Sequence, residues 1–274
     1  MDPLFPPFQP GSPDPEGPRR RAIPLRVLIP NMITLLALCA GMTAIRLAIE
    51  NKLDLAIGCI VVAALLDGVD GRVARYLKGT SKFGAELDSL ADFVNFGVVP
   101  GIVLYFWGLH DLRSIGWIGS LVFAICMVLR LARFNVTSGD PNRPAFQANF
   151  FTGMPAPAGA CTVLLPIYLD FLGLTHEPSH AKYELAYVLL IAFLMISTIP
   201  TFSGKKLGNR IPREWVLPIF VVAVVVVMLL ALYPWESLTS LTVAYLATIP
   251  FGVIYYRKQA KAYQASLQAQ RKGE

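Results

Sequence analysis

The chain has 274 residues, 55% of them hydrophobic and only 15% charged, with a mean hydropathy of +0.55 and a formal net charge of +6. Soluble domains carry about 25% charged residues, so this composition excludes a large soluble core and describes an all-α integral membrane protein. The pI of ≈ 9.2 does not argue for a nucleic-acid partner, because the basic residues gather at membrane edges instead of on one face.

The chain opens with "MDPLFPPFQPGSPDPEGPRRR". This stretch is Pro-rich and lacks a basic start followed by an apolar core, so residues 1–24 are expected to form a disordered cytoplasmic leader, not a signal peptide. "AIPLRVL" reads as a short interfacial helix. Eight apolar segments follow, at roughly 28–49, 53–76, 86–107, 114–133, 155–174, 183–202, 215–233 and 237–256. Most approach the ~20 residues that crossing about 30 Å of hydrocarbon requires. A membrane-embedded catalytic domain is expected over 25–256, and a basic cytoplasmic tail over 257–274. With both termini in the cytoplasm, all of the 24 basic residues except Arg46, Lys52, Arg113 and Lys182 fall on the cytoplasmic side. Cys39, Cys59, Cys126 and Cys161 lie inside spans and read as small packing residues. His110, His176 and His180 fall in external loops and read as solvated.

The informative stretch is "DGVDGRVARYLKGTSKFGAELDSLAD", residues 67–92. On a helix, Asp67, Asp70, Gly71, Ala74 and Arg75 share one face. On the next helix Asp88 and Asp92 share a face, with Gly84 one turn earlier. The connector "YLKGTSKFG" can turn the chain back, so both pairs of carboxylates can enter one polar space at the cytoplasmic edge. Four such groups repel one another unless cations sit between them. Oxygen-only donors suit Mg²⁺ or Mn²⁺, and no nearby Cys or His argues for zinc. Gly71 and Ala74 leave room for a ligand against the backbone, and Arg75 suits a phosphate. Together these residues read as a diphosphate site, with two ions stabilising an in-line displacement at phosphorus. A lone aspartate at a helix end, such as Asp54, is more simply a cap or a solvated residue, as is Glu86. A divalent-cation transporter is the rival reading of intramembrane carboxylates. It leaves Gly71, Ala74 and Arg75 without a purpose.

The spacing D-x2-D-G-x2-A-R-x8-G-x3-D-x3-D resembles, at every position, the signature of the CDP-alcohol phosphatidyltransferases. The resemblance implies a six-helix core plus two further helices, and a reaction in which an alcohol attacks the lipid-side phosphorus of a CDP-lipid and CMP leaves. It implies that Asp67, Asp70 and Asp88 are metal ligands, and that Asp92 is the general base near or touching a second ion. It further implies that Gly71, Ala74, Arg75, Ser81 and Gly84 meet the CDP-lipid. "IPNMIT" at 29–34 resembles the family's first-span motif, with Asn31 and Thr34 on one face towards the nucleotide.

Three stretches resemble the branch of the family whose acceptor is serine: "LRLARFNV" at 129–136, "FFTGMPAPAGA" at 150–160 and "IPTFSGKKL" at 199–207. The resemblance implies CDP-diacylglycerol and L-serine as substrates, with Asn95, Arg130, Arg133 and Asn135 around the serine. A zwitterionic amino acid needs a cation for its carboxylate, which Arg130 or Arg133 offers. Residue chemistry alone leaves glycerol phosphate, inositol phosphate or choline open as acceptors. The resemblance also implies a homodimer in the inner membrane, among membrane lipids, with the site facing the cytoplasm.

Overall fold

The computed structural model describes residues 25–138, 150–202 and 213–273. The expected leader, residues 1–24, lies outside the described residues, as do Arg143, Lys205, Lys206 and Arg210. Helix α1 runs Leu25–Ile49 and α2 runs Leu53–Tyr76. Helix α3, Lys82–Phe93, passes through a wider π turn at Val94–Val98 into α4, Val99–Trp107. A 3₁₀ turn at Leu109–Leu112 leads to α5, Ser114–Ser138. Then come β1 (Phe150–Thr152), α6 (Ala156–Val163), α7 (Leu165–Phe171), α8 (Ala181–Ile196), β2 (Pro200–Phe202), α9 (Arg213–Leu232) and α10 (Pro234–Gly273).

Each expected span coincides with helix, with instructive differences. The fifth is broken at Leu164, because Pro166 in the first turn of α7 has no N–H to continue the ladder. The sixth stops at Ile196, and its expected end pairs instead as β2. β1 and β2 form an antiparallel ribbon with Phe151 opposite Thr201, so the fold is mostly helical and not wholly so. Among the described residues, five helical segments are long and apolar enough to cross a membrane: Arg26–Ile49, Lys82–Trp107, Ser114–Thr137, Trp215–Leu232 and Pro234–Gln259. The protein is a multi-pass membrane protein.

α1 packs along α2 more extensively than any other pair of elements. The core lies among α1, α2, the π turn, α4, α5, α7 and α8, around Ile57, Phe96, Leu104, Phe123, Met127 and Ile191. Small residues set close approaches there, as is usual between membrane helices. A Cβ at Gly97 would sit 2.9 Å from Met127 Cγ, and one at Gly101 would sit 3.1 Å from Ser120 O.

Trp107 ends the helix that carries Asp88, about 28 Å further along at 1.5 Å per residue. A polar clasp closes this opposite end. His176 Nε2 lies 3.0 Å from Asp111 Oδ2, and its Nδ1 lies 2.8 Å from Glu184 Oε1. The His176 backbone N–H donates to Asp170 Oδ1, and Trp107 Nε1–H donates to Asp170 Oδ2. His110 and His180 are exposed as expected, but the His176 side chain is only 14% exposed, so its expected solvation is corrected. The reason is the two carboxylates, which draw the ring inward.

Candidate active site

The site begins with how three helices meet. Leu77 to Ser81 turn the chain between α2 and α3, with Lys78 at φ 51. Gly79 lies against the start of α1 so closely that a Cβ would come within 2.1 Å of Arg26 O. Ser81 caps α3, its Oγ accepting the Gly84 N–H at 2.9 Å. Gly84 lets α3 approach α1, since a Cβ there would lie 2.8 Å from Asn31 Oδ1.

A cleft of ≈ 180 Å³ opens between these elements. Asn31, Thr34, Gly71, Ala74, Ser81 and Gly84, all expected around the CDP-lipid, line it together with Asp70 and Asp88. Thr80, which the sequence did not single out, lines it too. A Cβ at Gly71 would meet nothing within 4 Å, so no protein packing claims that space. The N-terminus of α3 faces the same cleft and favours an anion there.

Asp67, Asp70 and Asp88 each present a carboxylate oxygen, and the three lie within 4.8 Å of one another. Among the described residues this is the group of His, Cys, Asp or Glu whose donors converge this way. Hard oxygen donors at this spacing fit a divalent cation such as Mg²⁺ or Mn²⁺. Asp92 comes within hydrogen-bonding reach of Asp67, and its Oδ1 is buried without a partner. A buried orphan acceptor beside three converging carboxylates is what a site shaped for a cation and a proton-bearing substrate contains.

The remaining expected residues lie elsewhere. Arg75 is exposed and folds back on its own helix, Nε donating to Gly71 O at 3.0 Å. Arg130 is 8% exposed and holds Met154 O through Nε at 3.1 Å, near enough to Asp92 for their charges to interact. Arg133 donates to Ser197 O at 3.2 Å and to Ile196 O, gripping the carbonyls that end α8. Asn135 ties α5 to α3 through Ser89 Oγ at 3.0 Å. Asn95 is buried in the π turn against α1, where a Cβ on Gly41 would reach within 2.2 Å of its Oδ1. It does not line the cleft. The Tyr245 hydroxyl on α10 is buried near enough to Arg130 to sense its charge. No sequence signal marked it, because one tyrosine in an apolar helix is unremarkable.

The family model described as CDP-alcohol phosphatidyltransferase matches residues 27–177. A second, CDP-alcohol phosphatidyltransferase 2, matches residues 214–250. The chain is 41% identical, over 85% of its length and 77% of the relative's, to a CDP-diacylglycerol–serine O-phosphatidyltransferase of Mycobacterium leprae. It is 38% identical to the Bacillus subtilis protein of the same name, over 68% of this chain and 98% of that one. An archaetidylserine synthase of Methanothermobacter thermautotrophicus is 31% identical over 63% of this chain and 69% of its own. With the aspartate cluster, the small-residue cleft and these likenesses in hand, the chain belongs to the CDP-alcohol phosphatidyltransferase family.

Proposed function

We propose that this protein transfers the phosphatidyl group of CDP-diacylglycerol to the hydroxyl of L-serine, giving phosphatidylserine and CMP. The observation that carries the reading is the convergence of Asp67, Asp70 and Asp88 on a small-residue cleft, with Asp92 buried beside them. The serine acceptor rests on the names of the relatives. Asp67, Asp70 and Asp88 would hold Mg²⁺ or Mn²⁺, with Asp92 at a second ion, and the metal supplies neutralisation of the diphosphate charge.

The chain's own residues do the rest. Gly71 and Ala74 give the cytidine diphosphate a floor without side chains, and Asn31, Ser81 and the α3 N-terminus offer donors to it. Arg75 is exposed and bonded to the carbonyl of Gly71, which lines the cleft, so releasing Gly71 O would free its guanidinium to meet the diphosphate. Asp92 takes the serine hydroxyl proton at Oδ1 as the serine oxygen attacks the lipid-side phosphorus. The bond from that phosphorus to the bridging oxygen breaks, and CMP departs with the electron pair. Arg130 beside Asp92 meets the serine carboxylate.

The same reading makes the chain an eight-span protein with cytoplasmic termini, a 25–256 catalytic domain and a 257–274 basic tail. It works as a homodimer in the inner membrane with its site facing the cytoplasm. The test is purified protein with CDP-diacylglycerol, Mn²⁺ or Mg²⁺, and each alcohol in turn. Serine should release CMP. If glycerol 3-phosphate or inositol phosphate releases CMP and serine does not, the acceptor is wrong.

A further inference from the structure

Thr34 was expected to face the nucleotide, but its hydroxyl is committed elsewhere. Thr34 is 5% exposed, and its Oγ1 lies 2.6 Å from Asp70 Oδ2 and 3.1 Å from Pro30 O. A hydroxyl has one proton. The Pro30 carbonyl only accepts, as does an ionised Asp70. The shorter contact falls in the range of a charge-assisted O–H···O⁻ bond, so it takes the proton. This bond joins α1 to α2 across 36 residues of sequence, at one of the three converging carboxylates. Asp70 itself is 4% exposed, so little solvent competes for that oxygen.

We infer that Thr34 is a positioning residue, which fixes the Asp70 carboxylate in its ligating orientation by donating to Oδ2. Partners that orient a ligating carboxylate raise metal affinity, because the ligand need not be ordered when the ion arrives. The inference rests on the metal reading of the aspartate cluster. It differs from a nucleotide contact in what each substitution should change.

The test measures Mn²⁺ binding by electron paramagnetic resonance on the full chain in nanodiscs, without substrate. Thr34→Val keeps the shape and removes the donor, and it should weaken Mn²⁺ binding by about tenfold. Thr34→Ser keeps the hydroxyl and should bind close to wild type. At saturating Mn²⁺, CDP affinity of Thr34→Val should match wild type. Unchanged Mn²⁺ affinity in Thr34→Val overturns the inference, as does a Thr34→Ser variant as weak as Thr34→Val. Weakened CDP binding at saturating Mn²⁺, with Mn²⁺ affinity intact, makes Thr34 a nucleotide contact instead. Asp70→Asn separates the two levels. Loss of Mn²⁺ there, with no effect in Thr34→Val, leaves the metal site standing without Thr34, whereas a wild-type chain that binds no Mn²⁺ removes both.

Discussion

Asp92 and Asp67 come from different helices and still lie within hydrogen-bonding reach, and Asp92 Oδ1 is buried without a hydrogen-bond partner. Asp92→Asn keeps the shape and loses the proton acceptor. CMP release should fall by about 10²- to 10⁴-fold, while CDP-lipid binding persists. Turnover like wild type would remove Asp92 as the base. The two arginines separate by a different measurement. Arg130→Ala should raise the KM for serine and leave that for CDP-diacylglycerol nearly unchanged. Arg133→Ala should leave serine KM alone and lower the melting temperature, since hydrogen bonds from a charged group contribute about 1.5–3 kcal/mol. Loss of serine affinity in Arg133→Ala, and not in Arg130→Ala, would reverse these roles. The aspartates were legible in the sequence because i, i+3 and i+4 spacing fixes a helix face locally. The arginines were not, because their roles depend on a carbonyl 63 residues away in one case and a loop oxygen 24 residues away in the other.

Two glycines of the α2–α3 hairpin show that the same residue type serves different ends. Gly71 borders open space, whereas Gly79 lies against backbone of α1. Gly71→Ala should fold as well as wild type or better, because alanine is favoured by up to about 1 kcal/mol inside a helix. Its cost should appear as weaker CDP-lipid binding. Gly79→Ala must displace Arg26 O and should lower the melting temperature. Equal melting loss in both would mean that Gly71 serves packing. At the far end, the His176 ring touches a carboxylate at each nitrogen, and a neutral imidazole has only one N–H to give. Both contacts are hydrogen bonds only for the imidazolium. Burial lowers the His176 pKa, but Glu184 and Asp111 together outweigh it, and the net shift is upward from 6.5. The clasp therefore contributes fully below about pH 6.5 and fades as pH rises through the raised folded value. Melting temperature should fall over that window in wild type, and His176→Gln should remove this slope. A slope unchanged in His176→Gln would assign it to another group. Nothing in the sequence around His176 announced the clasp, since Asp111 lies 65 residues away.

At the scale of the molecule, the helical segments were legible because apolar runs of membrane length are a local signal. Which of them are both long and free of charge was less so. α2 carries Asp54, Asp67 and Asp70, α6 and α7 are parted at Leu164, and α8 has 16 residues. These are the helices that carry the site's charges or are shortened by a break or by the β2 strand. α9 is the opposite case, with none of its span buried inside the protein, so its apolar surface is left for lipid or a second chain. The charge pattern is the ground for the proposed orientation, on which helix packing is silent. Lys78 and Lys82 lie between the two aspartate pairs, and they belong to the large basic majority that the proposed orientation puts on the cytoplasmic side. In a chain whose four native cysteines are replaced, Tyr76→Cys stands at the exposed end of α2, and Ser179→Cys stands in the exposed loop beside the clasp. A membrane-impermeant maleimide added to intact spheroplasts should label Ser179→Cys at once and Tyr76→Cys only after permeabilisation. The reverse pattern would put the aspartate cleft on the outer face, away from a cytoplasmic supply of CDP-lipid and serine. Labelling of both without permeabilisation would mean that an even number of crossings separates residues 76 and 179, against the three spans expected between them.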